Sequence, residues 1–206
     1  PSGCDASKSW ARASTVRSRR RPLSEDFVLG FAIERTETIY EGFVVDLERR
    51  FVRHGDEVFD REVVVHPGAV AIIAIDESFN VVLLEQYRAA VEHRIFEIPA
   101  GTCDHLGEAG RETAQRELYE ETGIRAESFE SLGVFLNSPG FSSQRTEIFL
   151  ATNISRGERQ PEGVEERDAR VSFLPFSEAI EMMEGGRIQD ATTCLALSLT
   201  ARRHGI

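Results

Sequence analysis

The stretch Arg116-Glu117-Leu118-Tyr119-Glu120-Glu121-Thr122-Gly123-Ile124 constrains this chain more than any other segment, because it specifies a helix and puts a charge problem on it. Glu117 and Glu121 are four residues apart, so a helix sets their carboxylates one turn from each other on one face. Glu120 lies on the flank of that face. The spacing predicts a helix over Glu108–Thr122, with Ala114 and Leu118 marking its apolar side and Gly123 where a C-terminal cap belongs. Like charges one turn apart cost about 0.2–0.5 kcal/mol in an isolated helix. A hard divalent cation between them removes that cost. Mg²⁺ takes carboxylate oxygens and keeps waters or phosphate oxygens as its other ligands. The competing reading is a solvated acidic face with ordinary salt bridges to Arg111 and Arg116.

What precedes the helix decides between the two. Gly101-Thr102-Cys103-Asp104-His105-Leu106-Gly107-Glu108 leads into seven residues and then Arg116-Glu117. From Glu108 to Ile124 the string resembles the Nudix signature, G-x5-E-x7-R-E-U-x-E-E-x-G-U with U aliphatic, at every defined position. Gly101 and Glu108 are separated by six residues rather than five, which a longer surface loop accommodates at modest cost. The resemblance implies a role for each position. Glu117 and Glu121 are the principal Mg²⁺ ligands, with Mn²⁺ a possible substitute. Glu120 is an auxiliary ligand, and the backbone carbonyl of Ala100 completes the metal shell. Gly101, Glu108, Arg116 and Gly123 are structural members of the motif, Arg116 anchoring the acidic residues.

A second set of residues resembles the ADP-ribose pyrophosphatase subgroup. Pro139, in Ser138-Pro139-Gly140-Phe141, falls sixteen residues after Gly123, where that subgroup has a proline in a loop bordering substrate. Pro139, Gly140 and Phe141 are therefore candidate substrate contacts, although Ser-Pro-Gly turns are common. Arg88, at the end of Glu85-Gln86-Tyr87-Arg88, matches an arginine that contacts substrate phosphates or nucleotide. Glu97 resembles a substrate-side carboxylate. The attacking water needs a base outside the helix. The acidic segment Glu162–Asp168 offers Glu166, with Glu165 as the neighbouring alternative; a merely solvated acidic loop is the other reading.

The remaining chain is organised simply. Residues 1–25 are rich in Ser and Arg, with six basic side chains before residue 25 against Asp5 alone, and read as a disordered basic tail or an organelle transit peptide. The body is thus more acidic than the formal net charge of −11, which argues against a nucleic-acid groove. Phe27–Ile33, Thr38–Arg53 and Glu57–Val65 have β texture, the last two joined by a turn at His54-Gly55-Asp56. Ala69–Asp76, Val81–Arg88, Phe129–Asn137, Arg145–Ala151 and Val171–Leu174 read as further strands. Ser177 and Asp190 are positioned to cap two final helices. Cys4, Cys103 and Cys194 are few and far apart, so neither zinc nor a disulfide framework is expected, and reduced thiols in the cytoplasm are. No apolar run approaches the ~18 residues of a membrane span.

The expected fold is α/β, a Nudix α/β/α sandwich with a mixed sheet, preceded by a small antiparallel β domain. Residues 1–25 form the tail, 26–66 the β segment and 67–206 the hydrolase domain. In the subgroup this chain resembles, such a β segment builds a homodimer. The expected reaction is Mg²⁺-dependent hydrolysis of ADP-ribose to AMP and ribose 5-phosphate, with no nucleic-acid or membrane partner. A UDP- or GDP-sugar substrate, or a non-catalytic nucleotide sensor, are the alternatives.

Overall fold

The apolar run Ala69–Ala74 (β4) is buried on both faces, and the rest of the fold is layered around it. The computed structural model describes residues 30–205 except 106 and 162, so the basic tail lies outside the described residues. Along β4, Val70, Ile72 and Ala74 pack into one core cluster, while Ala71 and Ile73, followed by Ile75, pack into another. All but Ile75 are fully buried. A strand's two-residue period, covered on both sides, produces this division.

β4 pairs in parallel with β9 (Arg145–Arg156) and antiparallel with β7 (Ala100–Thr102); β8 (Ile124–Leu136) completes the order β7-β4-β9-β8. The sheet is therefore mixed. A second sheet, β10-β5-β6, joins Arg170–Pro175, Asn80–Arg88 and His93–Glu97. Helix α1 (Gly110–Thr122) covers one side, burying Ala114 and Leu118 completely. Full burial of a leucine contributes about 1.5–3 kcal/mol. On the other side lie α3 (Phe176–Glu184) and α4 (Ala191–His204), with Phe176, Met182 and Leu197 in the cluster. The expected α/β/α sandwich is the architecture observed.

Ahead of it, β1 (Phe31–Glu41), β2 (Asp46–His54) and β3 (Glu57–Val65) form an antiparallel sheet of their own. Every residue of β1 is exposed, so the described residues cover neither face of this strand. The sheet is stitched to the body at Val64, whose N–H donates to the Phe141 carbonyl at 2.8 Å and whose carbonyl accepts from Ser143 N–H at 2.9 Å.

Several element boundaries differ from the sequence expectation. The first hairpin turns at Gly42–Val45, not between Ile33 and Thr38, because Asp46 Oδ1 accepts from Gly42 N–H and fastens the turn there. α1 begins at Gly110 rather than Glu108. Ser177 is not a cap: α3 starts at Phe176 after Pro175, with no side-chain cap. Asp190 does cap α4, accepting from Thr193 N–H at 2.7 Å. The acidic segment before β10 holds a one-turn helix, α2 (Val164–Asp168). No helix among the described residues is long and apolar enough to cross a membrane.

Candidate active site

Burying Ala114 and Leu118 turns the acidic side of α1 toward an open cavity of about 550 Å³, within the range of small-molecule sites. Arg116, Glu117, Glu120 and Glu121 line it from the helix, and Ala100, Gly101 and Thr102 from β7. Gln86 and Arg88 come from β5, Asp104 and His105 from the loop after β7, and Gly163–Glu166 from the α2 turn. Residues far apart in sequence thus meet because α1, β5, β7 and the α2 turn converge at one end of the sheets.

Arg116 organises the helix face. Its Nη1 donates to Glu117 Oε1 at 2.7 Å and to Glu120 Oε2 at 2.9 Å, while Nε and Nη2 grip both oxygens of Glu108 at 3.3 and 3.2 Å. That forked contact holds the Glu108 carboxyl below the usual range. Thr113 Oγ1 adds a further hydrogen bond to Glu108. Glu108 thus stands just before α1, tied to it from outside.

Glu121 is the most enclosed acid, 6% exposed, and its Oε2 accepts the Ala100 N–H at 2.9 Å. Burial pushes its pKa up to about 8 against that hydrogen bond, with Glu117 and Glu166 adding repulsion and Arg88 opposing it. Burial also raises Glu117, partly offset by Arg116. Gly101 permits the arrangement: a Cβ there would sit 1.9 Å from the Glu117 carboxyl carbon. Three carboxylates on a cavity wall, one deeply desolvated, suit a hard cation that keeps several non-protein ligands. Among the described residues no three His, Cys, Asp or Glu side chains stand close enough together to hold an ion by themselves.

Opposite the helix, Arg88 Nε donates to Glu97 Oε2 at 2.8 Å, and the same oxygen accepts from Gln86 Nε2 at 2.6 Å. Glu97 itself does not line the cavity; it holds two side chains that do. Sequence reasoning missed Gln86, which is 3% exposed. The signal was its position two residues before Arg88, on the same face of a strand. Glu165 and Glu166 both reach the cavity. Pro139, Gly140 and Phe141 do not line it within one chain. Their loop runs to β3 instead, through the bond from Val64 N–H to the Phe141 carbonyl.

A model of the NUDIX domain matches residues 65–193. A methanol dehydrogenase activator of Bacillus methanolicus is 39% identical over 164 residues, covering 79% of this chain and 88% of that protein. An ADP-ribose pyrophosphatase of Mycobacterium tuberculosis (strain ATCC 25618 / H37Rv) is 38% identical over 154 residues, covering 74% of each. A solved ADP compounds hydrolase, 22% identical, shares the fold with a TM-score of 0.72 over 85% of this chain and 95% of that one.

Proposed function

Because this chain belongs to the NUDIX family, whose hydrolases use a divalent metal on nucleoside diphosphate compounds, we propose that it hydrolyses ADP-ribose to AMP and ribose 5-phosphate with Mg²⁺, for which Mn²⁺ can substitute. One observation carries the reading. The carboxylates of α1 and of the α2 turn face Arg88 across a single cavity large enough for a dinucleotide-sized ligand's diphosphate.

Glu117 and Glu121 hold the cation, with Glu120 and the Ala100 carbonyl as further donors. A bound divalent ion supplies charge neutralisation at the pyrophosphate and acidifies water. Arg88, oriented by Glu97, presents its remaining guanidinium nitrogens to the diphosphate. Glu166, with Glu165 as the alternative, accepts the proton of the attacking water. The new bond joins water oxygen to phosphorus, the bridging P–O bond breaks, and the leaving phosphate takes its electron pair. Arg116 restrains Glu117 and Glu120 so that the acidic face is set before substrate arrives.

The β1–β3 sheet is read as a homodimer surface, since Phe31, Ile33, Tyr40 and Phe43 are each more than half exposed. The loop of Pro139–Phe141, bonded to that sheet, borders substrate in the assembled dimer. We place the enzyme in the cytoplasm, where the free thiols of Cys103 and Cys194 stay reduced.

Incubation of the protein with ADP-ribose and other nucleoside diphosphate sugars, with Mg²⁺ in ¹⁸O water, tests the proposal. Mass spectrometry should find AMP and ribose 5-phosphate, with ¹⁸O in one of them. Preferential turnover of a UDP- or GDP-sugar would reassign the substrate while leaving the cation site in place.

A further inference from the structure

Between β9 and α2 the chain crosses the C-terminal end of α1 and takes up its free carbonyls. Gly157 N–H donates to the Gly123 carbonyl at 2.7 Å and Gln160 N–H to that of Glu120 at 3.1 Å. Between them, Arg159 Nε donates to the Glu121 carbonyl at 2.6 Å. The other two guanidinium nitrogens reach the α2 turn: Nη1 donates to the Ala169 carbonyl at 3.0 Å and Nη2 to that of Glu166 at 2.7 Å. One planar cation therefore joins the carbonyl ends of two helices, where a positive charge is favoured. It grips Glu121 and Glu166 by their backbones, from behind, while both side chains face the cavity.

α2 is five residues long, buries none of them and has no side-chain cap at Gly163. A helix this short is not stable by itself. The ion pair of Arg94 with Asp168 tethers its far end to β6, not to α1.

We propose that Arg159 is a positioning residue for hydrolysis, a clamp that sets the separation between the acidic face of α1 and Glu166. The proposal rests on Glu166 being the base. Lysine keeps the charge at this position but not the planar fork, so it cannot hold three carbonyls in the same geometry.

The test compares Arg159→Lys and Arg159→Met, alone and combined with Glu166→Gln, in ADP-ribose turnover. Amide hydrogen exchange of the protein without metal or substrate is measured alongside. Misplacing a catalytic group by about an ångström costs roughly 100-fold. Each Arg159 variant should lose about 10- to 100-fold in kcat with KM within about threefold. On the Glu166→Gln background the same substitution should cost almost nothing more, because both changes remove one function. Amides of Glu165–Ala169 should exchange faster while Ala114 and Leu118 stay protected.

If Glu166→Gln is crippled but the Arg159 variants are not, the clamp is overturned and the base stands. Losses that multiply between Arg159 and Glu166 overturn it too, as does loss of protection throughout α1. Near-normal turnover by Glu166→Gln sinks the base and the clamp together. Should Arg159→Met fail to fold, Arg159→Lys carries the same comparison.

Discussion

With only 6% of its surface exposed, the Glu121 carboxylate has almost no water to solvate a charge, and among the described residues one backbone N–H, that of Ala100, donates to it. Such a group is tolerable in so enclosed a position when a cation is its working partner. Glu121→Gln keeps an oxygen that can accept from Ala100 and removes the charge. It should lower kcat by more than about 100-fold while the melting temperature in chelator stays level or rises. Near-normal activity at saturating Mg²⁺ would remove Glu121 from the cation site. Gly123 poses a different question, one of space. Its φ is 73°, and a Cβ would stand 2.6 Å from the Gly157 carbonyl oxygen. The left-handed backbone costs a non-glycine residue about 1–2 kcal/mol, before that contact is counted. Gly123→Ala should therefore lower the urea midpoint by at least that equivalent and loosen the strap carrying Arg159. An unchanged midpoint would mean that the strap yields freely.

Elements were legible in the sequence in proportion to their length and periodicity. α1 and β4 announced themselves, one through carboxylates and apolar residues at helical spacing, the other through an unbroken apolar run. β6 and β7 did not, since five and three residues carry no period of their own and exist by pairing with β5 and β4. α2 was read as an acidic loop for the same reason: five residues that bury no side chain carry no period of their own, and the turn is held by partners outside it, Arg159 among them. Hence the helix half of the candidate site was visible beforehand, while Gln86 and Arg159, which act through partners on other elements, were not. The linker between β3 and β4 yields a prediction at this scale. His66 Nδ1 accepts the Gly68 N–H at 3.0 Å, which requires that nitrogen unprotonated, and partial burial lowers its pKa below 6.5. A histidine whose folded pKa lies below its unfolded value favours folding fully above the unfolded value, and that contribution fades as pH falls below it. Melting temperature should thus drop more between pH 7 and 5.5 in the native protein than in His66→Asn, whose side-chain oxygen accepts without titrating. Parallel curves would show that His66 is not coupled to folding.

For the molecule as a whole, the unresolved balance lies in the β1–β3 sheet. Eight of its side chains or turn residues, Phe31, Ile33, Ile39, Tyr40, Phe43, Val44, Val45 and Val58, are large, apolar and exposed, with Phe43 entirely so at 104%. The body of the protein has its core on both sides of β4, whereas among the described residues no layer packs on β1. A three-stranded sheet with one strand wholly exposed is marginal in water, and an apolar patch of this kind marks an interface. A second copy is the partner whose stoichiometry is always matched, and a two-fold axis places each patch against its own equivalent. Light scattering should accordingly give about twice the chain mass of 23.1 kDa. Combined Ile33→Glu and Phe43→Glu, which introduce charge on the patch far from Glu117 and Glu121, should yield monomers with a lower melting temperature. Because the loop of Pro139–Phe141 is bonded to this sheet at Val64, the monomers should also lose ADP-ribose turnover, chiefly through a raised KM. Recovery of activity with rising concentration of a weakened dimer would tie the loss to association and not to misfolding. A native protein that is monomeric at assay concentration and fully active would mean that one chain builds the complete site, and that the exposed face of β1 serves some other contact.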